Sequence, residues 1–203
     1  FVISARIHIK LLCEYMTIAN KETQLVKFAE IFQQSMDQYK ICLSDVGRRA
    51  MALKVGVCLI RYDLVRYLYE FNSPSLPLFV KIRAYADAIR VMIEGKDWIE
   101  KKANNELCKI CRESGLGIDI HTSLAKKSKQ VFNLSKISKY DDYRHALSGH
   151  YDVNIPEFMM KFSRIDAKML LEDTKGFAEY LNQWVINLVE VFEIHNKDMQ
   201  ADG

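Results

Sequence analysis

The sequence predicts an all-α protein, a single helical bundle of about six or seven helices. Apolar residues recur at steps of three and four through most of the 203 positions, the spacing that lines up one face of a helix. No stretch alternates with period two for long, so half-buried strands have no signature. Only three prolines and eight glycines interrupt the chain, which leaves the helices long and the breaks few. No repeat of roughly 20–50 residues and no low-complexity tract points to another architecture.

The elements follow in order, all within one domain over residues 1–203. Residues 1–20, opening FVISARIHIKLLCEYM, read as an N-terminal helix, 21–196 as the bundle and 197–203 as a tail. From Glu22 onward Leu25, Phe28, Phe32, Met36, Tyr39 and Leu43 share a face, and Gly47 is expected to break that helix. A second helix over Arg48–Phe71 is apolar almost all round between Ala50 and Ile60, which suits a central position. The NSPSLP stretch at 72–77 is the clearest stop in the chain. A third helix over Leu78–Glu94 has Phe79, Ile82, Ala86, Ile89 and Ile93 as its seam, with Arg83, Asp87 and Arg90 at its edge; Gly95 is expected to end it. A charged helix over Asp97–Glu113, the SGLGID loop and a weaker helix around Ser123–Leu134 come next. The last helix, Thr174–Asn196, carries Phe177, Leu181, Trp184, Leu188, Val191 and His195 at near-heptad spacing. Such a seam packs within the bundle or against a second copy, so a homodimer through this C-terminal helix is a candidate.

Composition narrows the class. At 49% hydrophobic the chain can bury a core without staples. A net charge of +3, from 29 basic and 26 acidic residues, demands no nucleic-acid partner, although a local basic patch can still serve one. The five cysteines are odd in number and mostly lie in apolar runs, as reduced thiols of a cytoplasmic protein do. The longest apolar window, Met51–Ile60, contains Lys54 and is closed by Arg61 and Asp63, far short of the roughly 20 residues that cross a bilayer. Arg6, His8 and Lys10 interrupt the amino end, which has no small-residue cleavage site. The expectation is a cytoplasmic protein that does not enter the membrane and needs no metal or cofactor.

Four features carry candidate chemistry. Tyr140–Asp152, YDDYRHALSGHYD, gathers two histidines, an arginine, three acids, a serine and three tyrosines into thirteen residues. Cys108 and Cys111 form a CxxC, but zinc needs four ligands and only His121 is near in sequence, so neighbours on a core helix are the favoured reading. Lys126, Lys127, Lys129, Lys136 and Lys139 fall in a stretch without acids; they suit a solvated helix face or, with Phe132 among them, a phosphate backbone. Arg83 and Asp87 stand one turn apart, either as an intrahelical ion pair or as a partly buried pair completed by a histidine from the polar island.

Within that island Arg144, followed by His145, Ser148 and His150, has the form R-x(4–6)-H. On these residues the chain resembles HEPN-type helical-bundle proteins, loosely over 48–195. It is also similar to bacterial helical families with an R-x-x-x-E/D helix and a later S-x-x-H, here Arg83/Asp87 and, one residue shorter, Ser148/His150. The resemblance implies a metal-independent endoribonuclease, or a degenerate relative, acting in bacterial stress or phage defence. It implies His150 as the acid–base group, with His145 beside it, Arg144 against the phosphate, the lysines holding RNA, and a homodimer completing the site. The residues allow two other readings: the histidines hold a loop through Asp141, Asp142 or Asp152, or the chain is a non-catalytic helical module that binds a protein or nucleic acid.

Overall fold

The computed structural model describes residues 21–72, 75–116, 118–143 and 155–201, and all regular structure among them is helical. Seven α-helices follow in order: α1 (Lys21–Ile41), α2 (Asp45–Asn72), α3 (Leu78–Trp98), α4 (Asn104–Glu113), α5 (Ile118–Val131), α6 (Ile155–Ser163) and α7 (Ala167–Ala201). A π turn, Ile99–Ala103, joins α3 to α4, and a 3-10 segment, Leu134–Tyr143, follows α5. The expected all-α bundle is therefore what forms. The expected N-terminal helix over 1–20 lies outside the described residues.

Helix ends depart from the sequence reading where side chains outside the apolar seam decide them. The first break falls at 42–44, ahead of Gly47. Ser44 caps α2, its Oγ accepting the Gly47 N–H at 3.1 Å. Gly47 sits in the first turn, where a Cβ would come within 2.6 Å of both Ser44 Oγ and Cys42 Sγ. Gly95 does not end α3 either. The helix continues to Trp98 and through the π turn into α4, because Gly95 is a packing point: a Cβ there would press to 3.1 Å from both Ile60 and Phe177. The true stop comes at Gly115 (φ 74°), with Leu116 N–H bonded to Cys111 O and Gly115 N–H to Arg112 O.

The C-terminal part differs more. α5 starts at Ile118, ahead of the expected Ser123. α6 was not foreseen, since nine residues are too few for a period to register. α7 begins at Ala167 and not Thr174, because Asp166 caps it by accepting the Lys168 and Met169 N–H groups at 2.9 and 3.1 Å. It runs on through most of the expected tail to Ala201.

Two helices organise the core. α2 packs against α1, α3, α4 and α7, and α3 against α2, α6, α7 and the 3-10 segment. The α7 seam points inward: Phe177, Leu181, Trp184, Leu188 and Val191 are all at most 2% exposed. That face is taken up by the chain's own core, so these residues are closed to the homodimer contact considered for the C-terminal helix. The His195 side chain lies outside the described ones.

Buried polar groups pin the helices in register. Trp184 Nε1–H donates to Asn104 Oδ1 at 2.9 Å, tying α7 to the first residue after the π turn. Asn187 Nδ2 donates to Leu124 O and Ser128 Oγ at 2.8 and 2.7 Å, tying α7 to α5. At the surface Arg49 bridges α2 to α4 through Glu106 and Glu113, with Asp45 at 3.3 Å. No described helix is long and apolar enough to cross a membrane.

Candidate functional site

Arg83 and Asp87 lie on the open side of α3, and their one-turn spacing produces the intrahelical ion pair, at 3.9 Å. Arg90 extends the row, 3.8 Å from Asp87 and 3.5 Å from Glu94. α2 brings a second charged row alongside, which sequence reasoning did not single out: Asp63, Arg66, Tyr67 and Glu70. Arg66 donates to the Tyr67 hydroxyl at 2.6 Å and stands 3.9 Å from Asp63. Their signal was D-x-x-R-Y-x-x-E, a polar face appearing late in an otherwise apolar helix.

The two rows interact electrostatically. Burial pushes the Asp63 and Glu70 carboxyls and the Tyr67 phenol above their ordinary ranges, and the Asp87 charge adds to each, while Arg66 opposes the shift in all three. The result is a mixed-charge surface where α2 and α3 run side by side, on which burial outweighs the guanidinium groups. Among the described residues no group of three or more His, Cys, Asp or Glu is arranged to hold a metal.

The lysine run divides when it is placed on the fold. Lys127 donates to Glu190 at 2.7 Å, and Lys139 sits 2.5 Å from Asp173, so these two are tied to α7. Lys126, Lys129 and Lys136 are exposed; Lys136 lies 5.5 Å from the Phe132 ring centroid, and no described acid pairs with the other two. Lys96 joins this surface from α3 by donating to Ser138 Oγ at 2.6 Å.

Arg144, His145, Ser148 and His150 lie outside the described residues. The chain on either side of them is anchored. Tyr140 is buried and its hydroxyl donates to Asp173, itself 6% exposed, at 2.7 Å. Burial and the Asp173 carboxylate hold that phenol far above its ordinary range. Tyr143 packs on Phe162 of α6 with ring centroids 5.2 Å apart, and Lys161 donates to the Asp142 carbonyl at 2.5 Å. The last residues of the 3-10 segment and α6 therefore touch. Asp173 was missed because its partner lies 33 positions earlier.

The CxxC falls in α4 with both thiols free. Cys111 is buried, and desolvation with Cys108 beside it pushes its thiol up to about 11, away from reactive thiolate character. His121 is hydrogen-bonded to the Asn104 backbone, and burial lowers its pKa. No protein-family model, no curated protein and no solved structure matches the chain.

Proposed function

We propose that the chain is a HEPN-like helical protein that binds single-stranded RNA and cleaves it without a metal, with Arg144 and His150 as the reacting pair. One observation carries the reading. Asp142 and Tyr143, before the motif, meet Lys161 and Phe162, after it, so the described residues that flank the motif are held together at one anchored place. The exposed lysines Lys126, Lys129 and Lys136 precede it on the same stretch of chain, and such groups attract a phosphate backbone irrespective of base sequence. His145 and Ser148 fall inside the same eleven-residue interval between the 3-10 segment and α6.

In this reading an imidazole takes the 2′-OH proton while the 2′ oxygen attacks phosphorus, and the 5′ oxygen leaves with a proton from a second acid or from water. His150 serves as base, and Arg144 neutralises the charge that grows on the phosphoryl oxygens. Incubation with labelled single-stranded RNA in EDTA tests the assignment. Wild type should cleave, and His150→Ala should lose on the order of 10²–10⁴ in rate with an unchanged melting curve. Binding without cleavage by wild type would place the chain among non-catalytic helical modules. A large drop in melting temperature for His150→Ala would assign that histidine to holding its loop.

A further inference from the structure

The outer stripe of α3 reads Phe79, Arg83, Asp87, Arg90, Glu94, Trp98, with steps of four, four, three, four and four. That spacing is the same in both directions about a midpoint between residues 88 and 89. Reversing the stripe exchanges Arg83 with Glu94, Asp87 with Arg90 and Phe79 with Trp98. Two copies of α3 laid antiparallel would thus set every cation against an acid and every aromatic against an aromatic. A two-fold contact requires this self-complementarity, because residue i meets residue j and residue j meets residue i.

The stripe is accessible. Phe79 is 58% exposed, Arg83 and Glu94 are exposed, and Asp87, Arg90 and Trp98 are half-buried. The four charges span about 16 Å of helix, four ion pairs' worth of contact across a two-fold axis. Exposed Leu78 and Phe79 of each copy supply an apolar anchor at each end of the antiparallel pair, while Trp98 is half-buried with its indole against Gly56 of α2. The α7 seam has no such role open to it, being buried in the core.

We propose that the outer face of α3 is a homodimer interface, in which Arg83 of each copy pairs with the other copy's Glu94, and Asp87 with Arg90. The proposal does not depend on RNA cleavage. Sedimentation velocity of the full chain, from micromolar to hundreds of micromolar, tests it. Wild type should show a concentration-dependent dimer that weakens with added salt. Arg83→Glu sets acid against acid twice per dimer and should raise the Kd by about tenfold or more, with an unchanged circular-dichroism melt. The paired variant Arg83→Glu/Glu94→Arg should restore the dimer, although it makes both intrahelical pairs like-charged. A monomer at every concentration, a dimer indifferent to Arg83→Glu, or a paired variant no better than the single one would each overturn the proposal.

Discussion

Around Trp184 the polar contacts are short and sealed from water; around Asp87 they are long and wet. Asn104, Asn187 and Ser128 meet their partners at 2.7 to 2.9 Å inside the bundle, whereas the ion pairs of Arg83 and Arg90 lie at 3.5 to 3.9 Å, with both arginine side chains more than two-fifths exposed and Asp87 at 27%. A buried donor stripped of its acceptor keeps its desolvation cost, while an exposed ion pair gives back little when broken. The first region therefore sets which helices touch. The second adds little to that choice.

The comparison breaks most visibly at Trp184. Trp184→Ala removes a fully buried indole and takes the indole N–H donor from Asn104 Oδ1, and should cost about 3–5 kcal/mol, read as a loss of denaturant midpoint at unchanged slope. Asn187→Ala leaves the Leu124 carbonyl and Ser128 hydroxyl short of a donor, and should cost about 1–3 kcal/mol in the same measurement. At the other extreme, Arg83→Ala should move stability by no more than about 0.5 kcal/mol. A cost near that of Asn187→Ala would mean the stripe is part of the scaffold.

Acid sharpens the contrast from the inside. Burial lowers the pKa of His121 in the folded protein from the ordinary 6.5, and its Nε2 is buried without a described hydrogen-bond partner. The unfolded chain therefore binds a proton first. Stability is full above pH 6.5 and is lost as pH falls through the lowered folded value. Chemical denaturation between pH 7 and 5 should show this decline, and His121→Phe should flatten it. An identical decline in the variant would assign the effect to other groups.

What could be read from sequence was what repeats along one helix. The α7 seam from Phe177 to Val191, the α3 seam from Ile82 to Ile93 and the Arg83–Asp87 pair follow from steps of three and four and sit where that periodicity puts them, whereas Phe79, expected in the α3 seam, is 58% exposed because it falls in the helix's first turn, at the edge of the core. Ends were less legible, since Ser44 and Asp166 act through single caps that an apolar period does not register. Gly95 misled because a helix stop and a close crossing call for the same residue; only the approach of Ile60 and Phe177 separates the two. The mixed-charge surface of α2 and α3 was half legible for a similar reason. Asp87 belongs to a local pattern, but Asp63 and Glu70 join it from another helix, and Lys127 and Lys139 find their acids 63 and 34 positions later.

The most direct test of the functional reading is the chemistry of the RNA ends. Purified protein, freed of metal with EDTA, would be incubated with a defined single-stranded RNA beside a His150→Ala control, and the fragments analysed by mass. Attack by the 2′ oxygen leaves 2′,3′-cyclic phosphates on one fragment and 5′-hydroxyls on the other, and this account predicts both from wild type and neither from His150→Ala. Fragments ending in 3′-hydroxyls and 5′-phosphates, or no cleavage between pH 6 and 8 where imidazole titrates, would contradict it.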